Sequence, residues 1–266
     1  MATDGDSSFS VFTSTSYSPS RDPPWSLLHR HLARLRTAHA RLAREVPSSW
    51  CATVPMQSDD ALQAHLDRAV DDAKRRGLDG DLRVRLSVLP TGEPKAEAFA
   101  LSPMPPYPVR LVLDDRPTDY THDPFLRSKT SRRDVYDRAR ERCGATLVPS
   151  PEAASPPFDV LLFNPSRHLT ESSISNVAFR TSPCPPTRAP ETMEDEAPFV
   201  TPRRECGLLE GVMRAELLES GQVVEGVVTV DEVRDAARRG TLEVLCFNGV
   251  RGVFRAYLAP EPDSPE

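Results

Sequence analysis

The chain has 266 residues, of which 38% are hydrophobic and 27% charged, with a formal net charge of −6 at pH 7. That length suits one large domain or two smaller ones, and the acidic balance argues against a general nucleic-acid binder. Prolines number 27 against 12 glycines, and their clustering reads as loops inserted into a folded chain rather than as disorder.

Five cysteines without a Cys-x-x-Cys pair read as reduced thiols of a cytoplasmic protein. No metal site is expected, because His29, His31 and His39 share one helical segment and the histidines are not at ligand spacing to the cysteines. No apolar run is long enough to imply a membrane span, and the polar, acidic start is not a signal peptide.

In chain order, residues 1–8 read as a disordered tail. Ser10–Tyr17 mixes β-branched, aromatic and hydroxyl residues and reads as a strand. A turn at Pro19–Pro24 precedes a helix over Trp25–Arg44, with Leu27, Leu28, His31, Leu35, Ala38 and Leu42 near helical spacing. A second helix spans Asp59–Arg76 and ends at Gly77. Leu82–Leu89 alternates as a half-buried strand does, and Ala96–Leu101 and Val109–Leu113 are further strands. The first half is thus expected to set helices beside an antiparallel sheet.

After a connection at Thr121–Arg127, the second half begins with Lys129 and a helix over Arg132–Cys143. Val160–Phe163 is a buried strand and Asn164–Ser166 a turn. Leu169 and Ile174–Phe179 continue the sheet. Thr181–Pro198 is a proline-rich surface loop, and Val200–Pro202 leads into a turn. A helix over Gly211–Glu219, a strand over Gln222–Thr229 and a short helix over Val230–Arg238 capped by Thr229 follow. Strands at Leu242–Phe247 and Gly252–Leu258 close the chain, before a disordered tail at 260–266. The arginines at 127, 132, 133, 138, 140 and 142 are interleaved with acidic residues and read as a solvated helix face.

Several segments in this order carry a resemblance: Phe12-Thr13-Ser14, His31-Leu32-Ala33-Arg34-Leu35, Lys129-Thr130, Thr170-Glu171-Ser172-Ser173-Ile174-Ser175-Asn176, Gly207 to Arg214, and Phe247 to Gly252. Together they resemble the class IV pyridoxal-phosphate aminotransferases of fold type IV. That family includes branched-chain and D-amino-acid aminotransferases and aminodeoxychorismate lyases. The resemblance implies an α/β (α+β) fold like that of D-amino-acid aminotransferase. Its smaller N-terminal domain would span 9–120 and its cofactor-binding domain 128–259. It also implies a homodimer.

By the same resemblance Arg34 binds the cofactor phosphate, a role suited to the planar guanidinium. Lys129 forms the Schiff base and acts as the catalytic base; Lys74 and Lys95 sit in a charged helix and a turn. Glu171 faces the pyridine nitrogen, whose positive charge would partner a buried carboxylate. Gly211, Val212 and Met213 form one phosphate-binding segment at a helix start, and Asn248, Gly249 and Val250 a second. Thr13, Arg127 and Tyr136 are candidates for substrate contact.

Many transaminases of the class carry threonine in both phosphate segments. Met213 and the Gly249-Val250 turn are closer to aminodeoxychorismate lyases. The expected function is therefore a lyase converting 4-amino-4-deoxychorismate to 4-aminobenzoate and pyruvate, in folate synthesis. A class IV aminotransferase acting on branched-chain or D-amino acids is the alternative, and a non-catalytic relative kept for binding a third. The third stays open because Ser16 stands where the family often has arginine. No nucleic-acid or membrane partner is expected, only a small amino or carboxylate substrate.

Overall fold

The computed structural model describes residues 9–121, 123–152, 155–181 and 197–259. The two expected disordered tails and most of the Thr181–Pro198 loop lie outside these residues. The chain divides into two compact units.

The first unit comprises residues up to 103, 122–133 and 249–252. Strands β1 (Val11–Tyr17), β2 (Leu82–Val88) and β3 (Pro94–Ala100) form an antiparallel sheet in that order. Leu82, Val84 and Leu86 of β2 are buried while Arg83 is exposed and Arg85 half-buried, the alternation that a one-sided sheet requires. Helices α1 (Leu28–Glu45) and α2 (Asp59–Arg75) cover the buried face through Leu35, Leu42, Leu62 and Leu66. Each such leucine contributes roughly 1.5–3 kcal/mol by leaving water. Ser58 caps α2 by accepting from the Ala61 N–H at 3.3 Å, and acidic residues at its start and basic ones at its end suit the helix dipole.

Helix α1 begins three residues later than its apolar spacing suggests. Trp25 bridges to Tyr17, the Ser26 N–H donates to the Ser16 carbonyl at 3.0 Å, and Leu27 adopts φ 47°. The backbone is thus tied to β1 before the helix turns.

The second unit comprises residues 104–121, 134–248 and from 253 onward. Its strands are β4 (Val109–Leu113), β5 (Asp159–Phe163), β6 (Leu169–Ser172), β7 (Asn176–Thr181), β8 (Phe199–Pro202), β9 (Val223–Gly226), β10 (Leu242–Asn248) and β11 (Gly252–Leu258). They form one sheet in the order β6-β5-β4-β11-β10-β7-β8-β9. Helices α3 (Asp134–Arg142), α4 (Val212–Glu219) and α5 (Val230–Arg238) complete the unit.

Strand β4, expected with the first sheet, instead runs parallel to both β11 and β5. Its apolar run Val-Arg-Leu-Val-Leu fits a buried parallel strand, but period alone does not choose the partner. The expected helix over Arg132–Cys143 begins at Asp134, and Lys129 opens no helix. Thr130 bridges to Val11, the Phe12 N–H donates to the Lys129 carbonyl and the Ser131 N–H to the Ser10 carbonyl, both at 2.9 Å. These backbone groups extend the first sheet and cannot also start a helix. Val200–Pro202 belongs to β8, and a short 3-10 turn at Arg204–Cys206 follows it.

Candidate active site

Arg34 sits on α1 beside β1. Its Nη2 donates to Thr13 Oγ1 at 2.9 Å, and Thr13 Oγ1 lies 2.7 Å from His31 Nδ1. A guanidinium has no lone pair to offer, so the Thr13 hydroxyl accepts from Arg34 while also hydrogen-bonding to His31 Nδ1. The Gly249 backbone lies near enough to favour a protonated ring, though no carbonyl meets Nε2 with hydrogen-bond geometry. Burial and the Arg34 charge win, and the His31 pKa falls well below its ordinary value.

The Arg34 residue keeps some surface, but its Nε is buried with no hydrogen-bond partner, and burial brings its pKa down to about 10. A cation held this way is a site for an anion.

Lys129 stands in the extended segment beside β1, its Nζ 5.0 Å from the centre of the Phe12 ring. The Arg85 guanidinium lies 3.9 Å from the same ring. Burial lowers the Arg85 pKa. Arg127 pairs with Glu45 at 3.1 Å, at a side-chain exposure of 34%, so its charge is already matched. Gly249 and Val250 form the turn between β10 and β11.

In the second unit, Glu171 lies on β6 and is 3% exposed. Its Oε1 accepts from the Tyr136 hydroxyl at 2.8 Å and from the Tyr120 hydroxyl at 3.4 Å, and its Oε2 from the Leu209 N–H at 3.2 Å. Tyr120 is fully enclosed, and burial followed by the Glu171 charge pushes its pKa well up, so it remains a donor. The side chain of Tyr120 occupies the space in front of Gly207, where a β-carbon would come 2.3 Å from its Cβ and 2.5 Å from the ring at Cγ.

Helix α3 anchors the same segment twice. Tyr136 and Arg140, four residues apart, share a face. Arg140 pairs with Asp159 at 3.0 Å and donates to Ser173 Oγ at 2.9 Å. Arg142 pairs with the buried Asp114 at 2.6 Å. The expected solvated face is therefore wrong for Arg140, which neutralises a carboxylate that burial leaves unsolvated, whereas Arg142 stays exposed while pairing with Asp114.

Gly211 precedes α4, which has neither a side-chain cap nor an acidic residue in its first turn. A β-carbon on Gly211 would come 2.0 Å from Asn176 Oδ1, and Asn176 Nδ2 donates to the Leu209 carbonyl at 2.8 Å. Val212 is buried, and the side chain of Met213 packs against a small apolar cluster that includes Leu217 and Phe247. What this segment offers a ligand is backbone N–H, the group that binds anions at a helix start. Asn248 donates to Ser175 Oγ at 3.1 Å and to the Ile174 carbonyl at 3.4 Å, pinning the loop after Glu171.

The first unit thus groups Thr13, Arg34, Lys129, Gly249 and Val250, and the second groups Tyr136, Glu171, Gly211–Met213 and Asn248. The sequence does not single out His31, Arg85 or Tyr120 as site residues. Arg85 is visible there as the basic half of the β2 alternation. Tyr120 has no local signal. In the first unit the partnerless Arg34 Nε suits an anionic group such as a phosphate. In the second unit the uncapped α4 start suits an anion and the buried Glu171 carboxylate a basic ring nitrogen.

Comparison with known proteins agrees. The family model described as Amino-transferase class IV matches residues 10–256. A Schizosaccharomyces pombe protein named "Putative aminodeoxychorismate lyase" is 27% identical over 240 residues, covering 89% of this chain and 86% of that protein. A crystal structure titled as a "Putative amino-acid aminotransferase" from Mesorhizobium loti superposes with a TM-score of 0.69 at 25% identity, over 94% of this chain and 99% of that one. The 4-amino-4-deoxychorismate lyase of Pseudomonas aeruginosa shares the fold, with a TM-score of 0.59 at 21% identity over 97% and 84% of the two chains. The fold is that of the fold-type IV enzymes, and the chain belongs to the class IV aminotransferase family, whose members depend on pyridoxal phosphate.

Proposed function

We propose that the protein is a lyase that converts 4-amino-4-deoxychorismate into 4-aminobenzoate and pyruvate. The observation that carries this reading is the Gly211–Arg214 segment, where a phosphate would meet backbone N–H groups beside a half-buried Met213 rather than a threonine hydroxyl. The name of the Schizosaccharomyces pombe relative, matched along most of both chains, supports it.

When bound, pyridoxal phosphate supplies an aldehyde that condenses with amines and a pyridinium ring that accepts an electron pair. Arg34, oriented by Thr13, is suited to the phosphate beside the Gly249-Val250 turn of its own unit, and in the other unit the α4 N–H groups are suited to an anion. Glu171 would pair with the ring nitrogen and keep it protonated. The Lys129 amine, displaced by the substrate amine, would remove the proton from the substrate ring carbon that bears nitrogen. The enolpyruvyl C–O bond then breaks, the ring becomes aromatic, and the departing enolate takes a proton to become pyruvate. Arg85, over the same aromatic ring as Lys129, is suited to a substrate carboxylate.

An aminotransferase reading has support from the Mesorhizobium loti structure. It shares the first steps and differs in where the proton goes next. Incubation with 4-amino-4-deoxychorismate separates the two: 4-aminobenzoate with an equal amount of pyruvate supports the lyase. Neither product, with amino transfer to a 2-oxo acid from an amino donor, supports the aminotransferase. We further propose a homodimer, as the family resemblance implies. We also propose a cytoplasmic site, supported by the free thiols of Cys51, Cys143, Cys206 and Cys246. Among the described residues no helix is long and apolar enough to cross a membrane.

A further inference from the structure

Glu171 can serve a ring nitrogen only if its carboxylate is held in one rotamer and remains charged while buried. A glutamate has three rotatable side-chain bonds, and burial alone favours its neutral form. Two phenols address this. Tyr136 reaches Oε1 at 2.8 Å from α3, and Tyr120 approaches the same oxygen at 3.4 Å. Each phenol is in turn fixed. Tyr136 rides on a helix whose Arg140 is bound to Asp159 and Ser173. Tyr120 lies against Gly207, with Thr170 Oγ1 3.3 Å from its hydroxyl. Oε2 receives a longer bond than the Tyr136 one, from the Leu209 N–H at 3.2 Å.

We propose that Tyr136, seconded by Tyr120, is a positioning residue that locks Glu171 through Oε1 in the rotamer in which the carboxylate meets a protonated heteroaromatic nitrogen. The inference rests on the pyridoxal-phosphate reading and deepens it. It assigns Tyr136 to the ring-nitrogen side of the cofactor rather than to the substrate. Loss of the phenol frees the carboxylate to rotate and removes a donor that favours its charged form.

The test is a binding comparison that needs no turnover. Dissociation constants are measured for pyridoxal phosphate and for its 1-deaza analogue, in which C–H replaces the ring nitrogen, with the wild type, Tyr136→Phe and Tyr120→Phe. The wild type prefers the natural cofactor. In Tyr136→Phe that preference shrinks by roughly fivefold, the worth of one typical hydrogen bond, and in Tyr120→Phe by less. A purely structural role would weaken both ligands equally and leave the ratio unchanged, which overturns the proposal. A wild type that binds both ligands equally overturns the role of Glu171 itself. A wild type that binds neither overturns the cofactor reading. In both cases the positioning role falls with it.

Discussion

The hydroxyl of Thr13 lies 2.7 Å from Nδ1 of His31 and accepts from Arg34 Nη2 at 2.9 Å, so one oxygen ties the buried histidine to the guanidinium. Thr13→Val keeps the shape and removes the oxygen. It leaves Arg34 Nη2 and His31 Nδ1 without this partner. A loss of about 1–3 kcal/mol in urea unfolding is expected, with weaker binding of pyridoxal phosphate.

Arg34→Lys keeps the charge and loses the forked donor geometry. The dissociation constant for pyridoxal phosphate is expected to rise roughly tenfold, while that for pyridoxal, which has no phosphate, stays the same. Equal losses for both ligands would remove Arg34 from the phosphate.

The folded state keeps His31 neutral at a pH where the unfolded chain binds a proton. Its folded pKa is lowered by burial first, then by Arg34, with smaller contributions from Lys129 and His29. The unfolded pKa is about 6.5. Below that pH the unfolded chain takes up a proton that the folded chain refuses, so this histidine lowers stability as pH falls and has no effect above neutrality. Wild type should lose stability relative to His31→Gln by up to about 1.4 kcal/mol per pH unit between roughly pH 6.5 and 5. Denaturant melts of both proteins across that range check the difference.

Two glycines with positive φ separate strain from crowding. Gly221 has φ +72° and nothing within 4 Å of the place a β-carbon would take, whereas Gly207 has φ +90° with Tyr120 atoms at 2.3 to 2.9 Å. Gly221→Ala should cost about 1–2 kcal/mol from backbone strain alone. Gly207→Ala adds overpacking of about 1–3 kcal/mol and displaces the Tyr120 phenol from Glu171. Thermal unfolding of the two variants gives the comparison.

Much of this was legible because the signals are local. The Thr229 cap of α5 appears as a full capping box with Glu232. The β2 alternation matches its buried face. What was hidden depends on distant partners. Tyr120 and Glu171 meet across 51 residues, and nothing near Tyr120 announces it. Strand β4 reads correctly as a strand, but its parallel pairing with β11 joins segments far apart in the chain. Arg140 looks solvated on its own helix, and only Asp159, brought close by folding, shows otherwise.

If Lys129 carries the cofactor, an absorbance spectrum of the protein reveals it. Purified protein with saturating pyridoxal phosphate should show a visible imine band that borohydride traps on the chain, and Lys129→Ala should show neither the band nor the trapped product. A wild type without the band, or a Lys129→Ala variant that still traps the cofactor, would contradict the account.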